Sequence, residues 1–407
     1  MFKEIAGGVC AAQGFRAAGV HCGVKAGSSP DKNDLALILS EKECAAAGVY
    51  TLNRVKAAPI YVTMDHLENG VAWGVVANSG NANACCPLSH ENAELMCAAA
   101  AQASGRAPED FIVASTGVIG QTINISAIQA GMPALAEGLS REGSDAAARA
   151  IMTTDTVKKE LALSLTLGGQ EVRLGAIAKG SGMIHPNMGT MLCFVTTDCA
   201  ITQEMLEDAL REVVGKTFNR VTVDGDTSTN DMCTVLANGM ADNPLIEWKD
   251  EDYFIFLAAL EHLCRALARA IAGDGEGAGR LVTCKMTGAR SEESAERLAK
   301  AVVGSSLVKA AMFGADANWG RVLCAMGYSK APFRPEHVDI SFESAAGSIS
   351  VCRQGDGLTF DEELAKKVLS EKEVVIAVDL HEGEDSAECW GCDLTYDYVK
   401  INGDYRT

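Results

Sequence analysis

Short apolar runs alternate along the chain with longer stretches whose apolar residues recur every third or fourth position, which predicts interleaved strands and helices. Residues 35–39, 71–76 and 111–114 are near-continuous apolar runs of strand length, as expected of strands buried on both faces. Residues 91–104 are rich in alanine and predict a helix closed by Gly105. A second helix should run through Ala150, with Ser144 or Asp145 as its cap. Residues 161–167 and 171–178 flank Gly168-Gly169 and read as a hairpin. Later, Met205, Leu206, Ala209, Leu210 and Val213 share one face of a helix opened by Thr202. A longer helix is expected from about 253 to 272, closed by Gly273, and another from Ser291 to near Val303. Val338, Ile340 and Phe342 alternate with polar residues as in a half-buried strand. Residues 373–380 predict a further strand and 390–401 the last one.

A chain of 407 residues with 48% hydrophobic content can bury a large core, as one large domain or two. Its net charge of -19 argues against nucleic acid or an anionic membrane as partner, and solubility is the plain reading of the acidity. No run reaches the length of a membrane-spanning helix, and the first residues lack the apolar centre of a signal peptide. The fifteen cysteines are odd in number and scattered, which suits reduced, buried thiols and a cytoplasmic protein. Cys389-Trp-Gly-Cys392 is a single C-x-x-C without a second pair, so buried strand thiols are expected there and no metal site.

The segment Lys179-Gly-Ser-Gly-Met-Ile-His-Pro-Asn-Met-Gly-Thr190 joins a loop of glycine, serine and proline to the apolar run Met191-Leu-Cys-Phe-Val195. Taken alone, Thr190 is an ordinary strand threonine. After such a loop, its hydroxyl can attack the carbonyl of Gly189 and cut the backbone. The product is an N-terminal threonine whose α-amine lies beside its own hydroxyl, a nucleophile that carries its base. That amine has a reference pKa of roughly 7.7–8.0, suited to proton transfer near neutrality. His185 is then not needed as a base and is expected to shape the loop beside Pro186.

Ser115-Thr116-Gly117 follows a buried strand, where a threonine hydroxyl and a glycine amide can converge on one oxygen; a plain strand-to-loop turn is the competing reading. Glu276 lies in Gly273-Asp-Gly-Glu-Gly, which follows a helix and lacks a Gly-Lys-Ser/Thr, so it is not a phosphate loop. A glutamate between glycines can approach a cationic amine closely. The dense polar motif Asp316-Ala-Asn-Trp-Gly-Arg321 reads as buried architecture or a subunit contact.

The cleavage segment closely resembles that of the ornithine acetyltransferase family. The resemblance runs the length of the chain. It includes Ala114-Ser-Thr-Gly-Val-Ile-Gly120, Asn219-Arg-Val-Thr-Val-Asp-Gly-Asp-Thr-Ser-Thr-Asn-Asp231, Gly273-Asp-Gly-Glu-Gly-Ala-Gly279, the Asp316–Arg321 motif and the tail Asp397-Tyr-Val-Lys-Ile-Asn-Gly-Asp-Tyr-Arg-Thr407. One departure is Gly189, where the family usually has alanine.

The resemblance implies an α/β protein of the α+β type, with stacked β-sheets flanked by helices as in the related self-cleaving aminopeptidases. It implies cleavage into 1–189 and 190–407, assembled as a heterotetramer of two α and two β chains. Thr190 is implied as the nucleophile and Thr116 and Gly117 as the oxyanion hole. Thr153 (or its neighbour Thr154), Lys179, Thr190, Glu276, Asn402 and Thr407 are implied as substrate contacts. No metal or prosthetic group is implied. The expected reaction moves acetyl from N-acetylornithine to glutamate through an acetyl ester on Thr190, with acetyl-CoA left open as an alternative donor. Two rivals stand beside it: a self-cleaving aminopeptidase or amidase in which water takes the acyl group, and an uncut, non-catalytic metabolite-binding protein.

Overall fold

The computed structural model describes residues 2–25, 27–185 and 191–403. The chain forms two compact units. The first comprises Met1–Gly180, Pro186–Asn219 and Thr227–Leu267, the second Ser181–His185, Arg220–Asp226 and Ala268–Thr407.

The first unit contains β1 (Lys3–Ile5), β2 (Phe15–Val20), β3 (Leu35–Tyr50), β4 (Val71–Asn78), β5 (Phe111–Ser115), β6 (Lys159–Leu167), β7 (Gln170–Lys179) and β8 (Leu192–Thr197). β9 (Val221–Thr222) falls in the second unit and β10 (Met232–Ala237) returns to the first. Among the described residues these first-unit strands make one nine-stranded sheet in the order β1-β6-β7-β8-β10-β3-β4-β5, with β2 also on β3. Its helices include α1 (Ala58–His66), α2 (Ser89–Ser104), α3 (Ile125–Glu137), α4 (Ser144–Ala150) and α5 (Gln203–Lys216). The period of two along the strands sorts the core. Leu35, Leu37, Phe111 and Val113 pack with Met96 and Cys97 of α2 and Met132 of α3, whereas Ala36, Ile38 and Ile112 pack with Ala147 and Ala148 of α4. The hairpin falls on β6 and β7, with Gly168 and Gly169 both at positive φ, and Gly105 caps α2 in the left-handed region.

α6 (Glu251–Gly273) leads into the strands and helices of the second unit. These are β11 (Leu281–Ala289), α7 (Glu292–Gly304), α8 (Ser306–Phe313), α9 (Trp319–Gly327), β12 (Asp339–Ser344), β13 (Gly347–Arg353), β14 (Asp356–Gly357), α10 (Glu362–Leu369), β15 (Glu373–Asp379), β16 (Asp385–Cys392) and α11 (Tyr396–Gly403). The sheet runs β14-β13-β12-β15-β11-β16-β9. Cys284 and Met286 of β11 and Ile376 of β15 share a core with Leu298 and Val302 of α7 and Val368 of α10. Thr202, Ser291 and Asn318 cap α5, α7 and α9 through their side-chain oxygens. The Asp316–Arg321 motif is not the buried one expected: Asp316 is exposed and Asn318 and Arg321 are half-buried, with Asn318 also donating to Asp316 and Arg321 donating to the carbonyl of Leu307.

Two further expectations are corrected. The last strand stops at Cys392, and the following residues form a helix. Asp393 turns the chain by accepting the backbone N–H groups of Gly279 and Arg280 at 2.7 and 3.0 Å, and Thr395 donates to the carbonyl of Gly277. The Tyr398–Asn402 spacing then follows the helical period, and Asn402 donates to the Tyr398 carbonyl. Ser144 does not cap α4; Gly143 holds that position without a side-chain bond. The Ser144 hydroxyl instead accepts from Val9 N–H and donates to Glu160.

All fifteen cysteines are free, and only Cys85 and Cys324 are exposed. Cys389 and Cys392 lie three apart on a strand, so their side chains leave opposite faces. Among the described residues no helix is long and apolar enough to cross a membrane, and no group of three or more metal-ligand side chains converges.

Candidate active site

Sheet register brings two distant parts of the first unit to one end. Lys179 closes β7 opposite Leu192 of β8, and Leu192 pairs with Met232 of β10. Lys179 is buried, and its ammonium donates to the Thr116 hydroxyl at 3.2 Å. A solvated lysine, the plain alternative at this position, is thereby excluded.

Thr116 is held from behind by a set of buried amides. Ser115 donates to Asn78 at 2.6 Å, and Asn230 donates to the carbonyls of both Ser115 and Ala82 at 2.8 and 2.7 Å. Gly117 has φ +133°, and a Cβ there would lie 2.3 Å from the backbone carbon of Gly80, so the close approach admits only glycine.

Thr153 follows α4. Its carbonyl accepts from the Lys32 ammonium, and its N–H donates to Asp155 at 3.1 Å. The Asp155 carboxylate also accepts from Gly180 N–H at 2.7 Å and pairs with Lys159 at 2.8 Å. Burial raises the Asp155 carboxyl, but the charges of Lys179 and Lys159 outweigh it and hold it at about 2. Asp231, which precedes β10, is the opposite case. Burial pushes its carboxyl well above the usual range against the pull of Ser228, Lys179 and Thr51, and its Oδ2 has no hydrogen-bond partner among the described residues.

The second unit holds its own polar cluster. Glu276 is buried, its N–H donates to the Ser181 carbonyl, and Asn402 of α11 donates to its carboxylate at 2.6 Å. A Cβ on Gly182 would meet that carboxyl group at 2.3 Å, so Glu276 lies directly on the glycine. Asp224 accepts from the backbone N–H groups of Met183 and Ile184 at 2.7 and 2.9 Å and from the Tyr398 hydroxyl at 3.2 Å. It fixes Met183 in the left-handed region, φ 56°. His185 shares a hydrogen bond with the Thr222 hydroxyl, and burial with the nearby Lys300 charge lowers its pKa to about 4. It is therefore neutral near pH 7; Pro186, beside which it was expected to shape the loop, lies outside the described residues.

The candidates Thr116 and Lys179 thus meet, Glu276 and Asn402 meet, and Thr153 is tied to Gly180 through Asp155. Gly189, Thr190 and Thr407 lie outside the described residues. Sequence reasoning passed over Asp155, Lys159, Asp224, Asn230 and Asp231. The last three stand inside the quoted 219–231 motif, whose density of polar residues between apolar strands was the available signal.

A model of the ArgJ family matches residues 16–407. An arginine biosynthesis bifunctional protein ArgJ of Symbiobacterium thermophilum is 54% identical over 404 residues, 99% of each chain. A similarly named protein of Clostridium acetobutylicum is 48% identical, covering 97% of this chain and 96% of its own. Among solved structures, the ornithine acetyltransferase of Mycobacterium tuberculosis complexed with ornithine is 37% identical with a TM-score of 0.43, covering 46% of this chain and 99% of its own. With a family model spanning nearly all of its length and relatives about half identical from end to end, this chain belongs to the ArgJ family.

Proposed function

We propose that Thr190 carries the chemistry of this protein and is released as an N-terminus by self-cleavage after Gly189. The enzyme class follows from the family: the chain is an acetyltransferase of arginine biosynthesis, a glutamate N-acetyltransferase drawing on N2-acetylornithine, and the aminopeptidase reading falls away. The Thr190 hydroxyl gives its proton to its own α-amine and attacks the acetyl carbon. Thr116 and Gly117 hold the oxyanion while the C–N bond breaks, and the α-amine returns the proton to the departing ornithine nitrogen. The amine of glutamate then attacks the ester, and the Thr190 oxygen leaves and is reprotonated. Each proton has a protein group to hold it, so these steps call on no metal or prosthetic group. Acetyl-CoA would acylate the same threonine with its thiol as leaving group.

Thr153, Lys179, Glu276, Asn402 and Thr407 are assigned to substrate recognition. The protein is assigned to the cytoplasm as a heterotetramer of two α and two β chains. The observation that carries the reading is the buried contact of Lys179 with Thr116, which gives a hydroxyl ahead of Gly117 a fixed orientation.

Purified protein should show two chains, the second beginning Thr-Met-Leu-Cys, and Thr190→Ala should remain whole and inactive. With acetylornithine and glutamate varied together, double-reciprocal plots should be parallel, and the Thr190 fragment should carry an acetyl adduct. A single uncut chain with full activity, or intersecting lines without an adduct, would refute the mechanism.

A further inference from the structure

We propose that Asp155 is a positioning residue for substrate recognition, its two carboxylate oxygens tying Thr153 to Gly180, the residue after Lys179. The proposal rests on the assignment of Thr153 and Lys179 to the substrate. Asp155 Oδ2 accepts from Thr153 N–H at 3.1 Å, while Oδ1 accepts from Gly180 N–H at 2.7 Å and from the Lys159 ammonium at 2.8 Å. The Asp155 side chain is 0% exposed and that of Lys159 1%.

All three partners are donors, and they approach from both ends of the carboxyl group. A carboxylate offers acceptors at both ends; an asparagine would turn an NH₂ toward one of the donors. A buried ion pair contributes little stability over an apolar pair of the same volume, so its placement between two substrate residues points to geometry as its purpose. The charges of Lys159 and Lys179 keep Asp155 ionised throughout the working pH range, so the tie does not depend on pH there. Thr153 lies on the connection after α4, and Gly180 lies just beyond β7.

The test is the double variant Asp155→Asn/Lys159→Met, which removes both members of the ion pair so that Lys159 is not left as a buried charge facing a neutral amide. Acylation by acetylornithine, read as the mass adduct on the 190–407 fragment, gives the fraction of competent sites. We expect competent sites to form and KM for acetylornithine to rise by ~10-fold or more, with kcat per competent site changing far less. A structural defect would lower the competent fraction and leave KM as it was, and that outcome overturns the positioning role. Asp155→Glu decides the matter if the double variant does not fold. It keeps the charge and the Lys159 pair, but its extra methylene cannot hold both amides at these distances, so KM should rise again. An unchanged KM in Asp155→Glu overturns the proposal. Wild-type protein inert toward acetylornithine and glutamate would instead sink the acetyltransferase reading, and this inference with it.

Discussion

Lys179 and Thr116 meet in a buried hydrogen bond of 3.2 Å although 63 positions separate them in sequence. An ammonium can only donate, so the Thr116 oxygen is the acceptor and its own hydrogen is left to donate elsewhere. That is the polarity an oxyanion requires.

Thr116→Val keeps the shape and removes the donor. Because the oxyanion exists only at the tetrahedral stage, kcat should fall by ~10²–10³ with KM little changed. Steady-state kinetics on fully cleaved protein decide the point, and a change confined to KM would contradict the assignment.

Glu276 is predicted to act in the ground state as well as the transition state. Glu276→Gln removes the charge that an amino group would meet and should raise KM roughly 10- to 100-fold, the equivalent of about 1.5–3 kcal/mol for a charged hydrogen bond. Gly182→Ala should do the same without touching the carboxylate, since its Cβ would stand 2.3 Å from that group and displace it from Asn402. Unaltered KM values in both variants would remove Glu276 from the substrate site.

Asp231 should cost stability at neutral pH. A carboxyl whose native pKa lies above its unfolded one stabilises the fold below the unfolded value and loses that contribution as pH rises toward the native value. Asp231→Asn should therefore melt higher than the wild type at pH 7, with the gap closing as pH falls below about 4. Melting curves across that range test it; a gap independent of pH would show that the carboxyl is ionised in the native state.

His185 has the reverse sign. Its native pKa of about 4 lies below the unfolded value, so protonation favours the unfolded chain and stability falls as pH drops from about 6.5 toward 4. His185→Gln should lose less stability over that interval, and the acid limb of the rate profile should stay where it is. A shifted limb would make His185 a participant in proton transfer.

Much of this architecture is legible in the chain because local chemistry and tertiary demand agree. Gly105 sits where α2 must end, Gly168 and Gly169 where β6 must turn into β7, and Thr202 and Ser291 where helices begin. Residues 390–401 misled because Trp390 and Cys392 are buried on a strand, and the pattern does not announce that Asp393 spends its carboxylate on Gly279 and Arg280 and ends it. Ser144 misled in the same way, its hydroxyl being claimed by Val9 and Glu160 rather than by its own helix. The Asp155–Lys159 pair is close in sequence, but its meaning depends on Gly180, which only the pairing of β6 with β7 brings near. Polar groups that serve a distant backbone leave no periodic trace.

The distribution of thiols has a practical consequence. Of the fifteen cysteines only Cys85 and Cys324 are exposed, and burial holds many of the others above the usual thiol pKa. Cys85 belongs to the first unit and Cys324, on α9, to the second. A maleimide dye at moderate pH would thus react first at these two thiols, one in each unit, with the half-buried Cys22 and Cys86 following more slowly. Digestion and mass analysis of the labelled chain would then read solvent access separately in each unit, in solution and in real time.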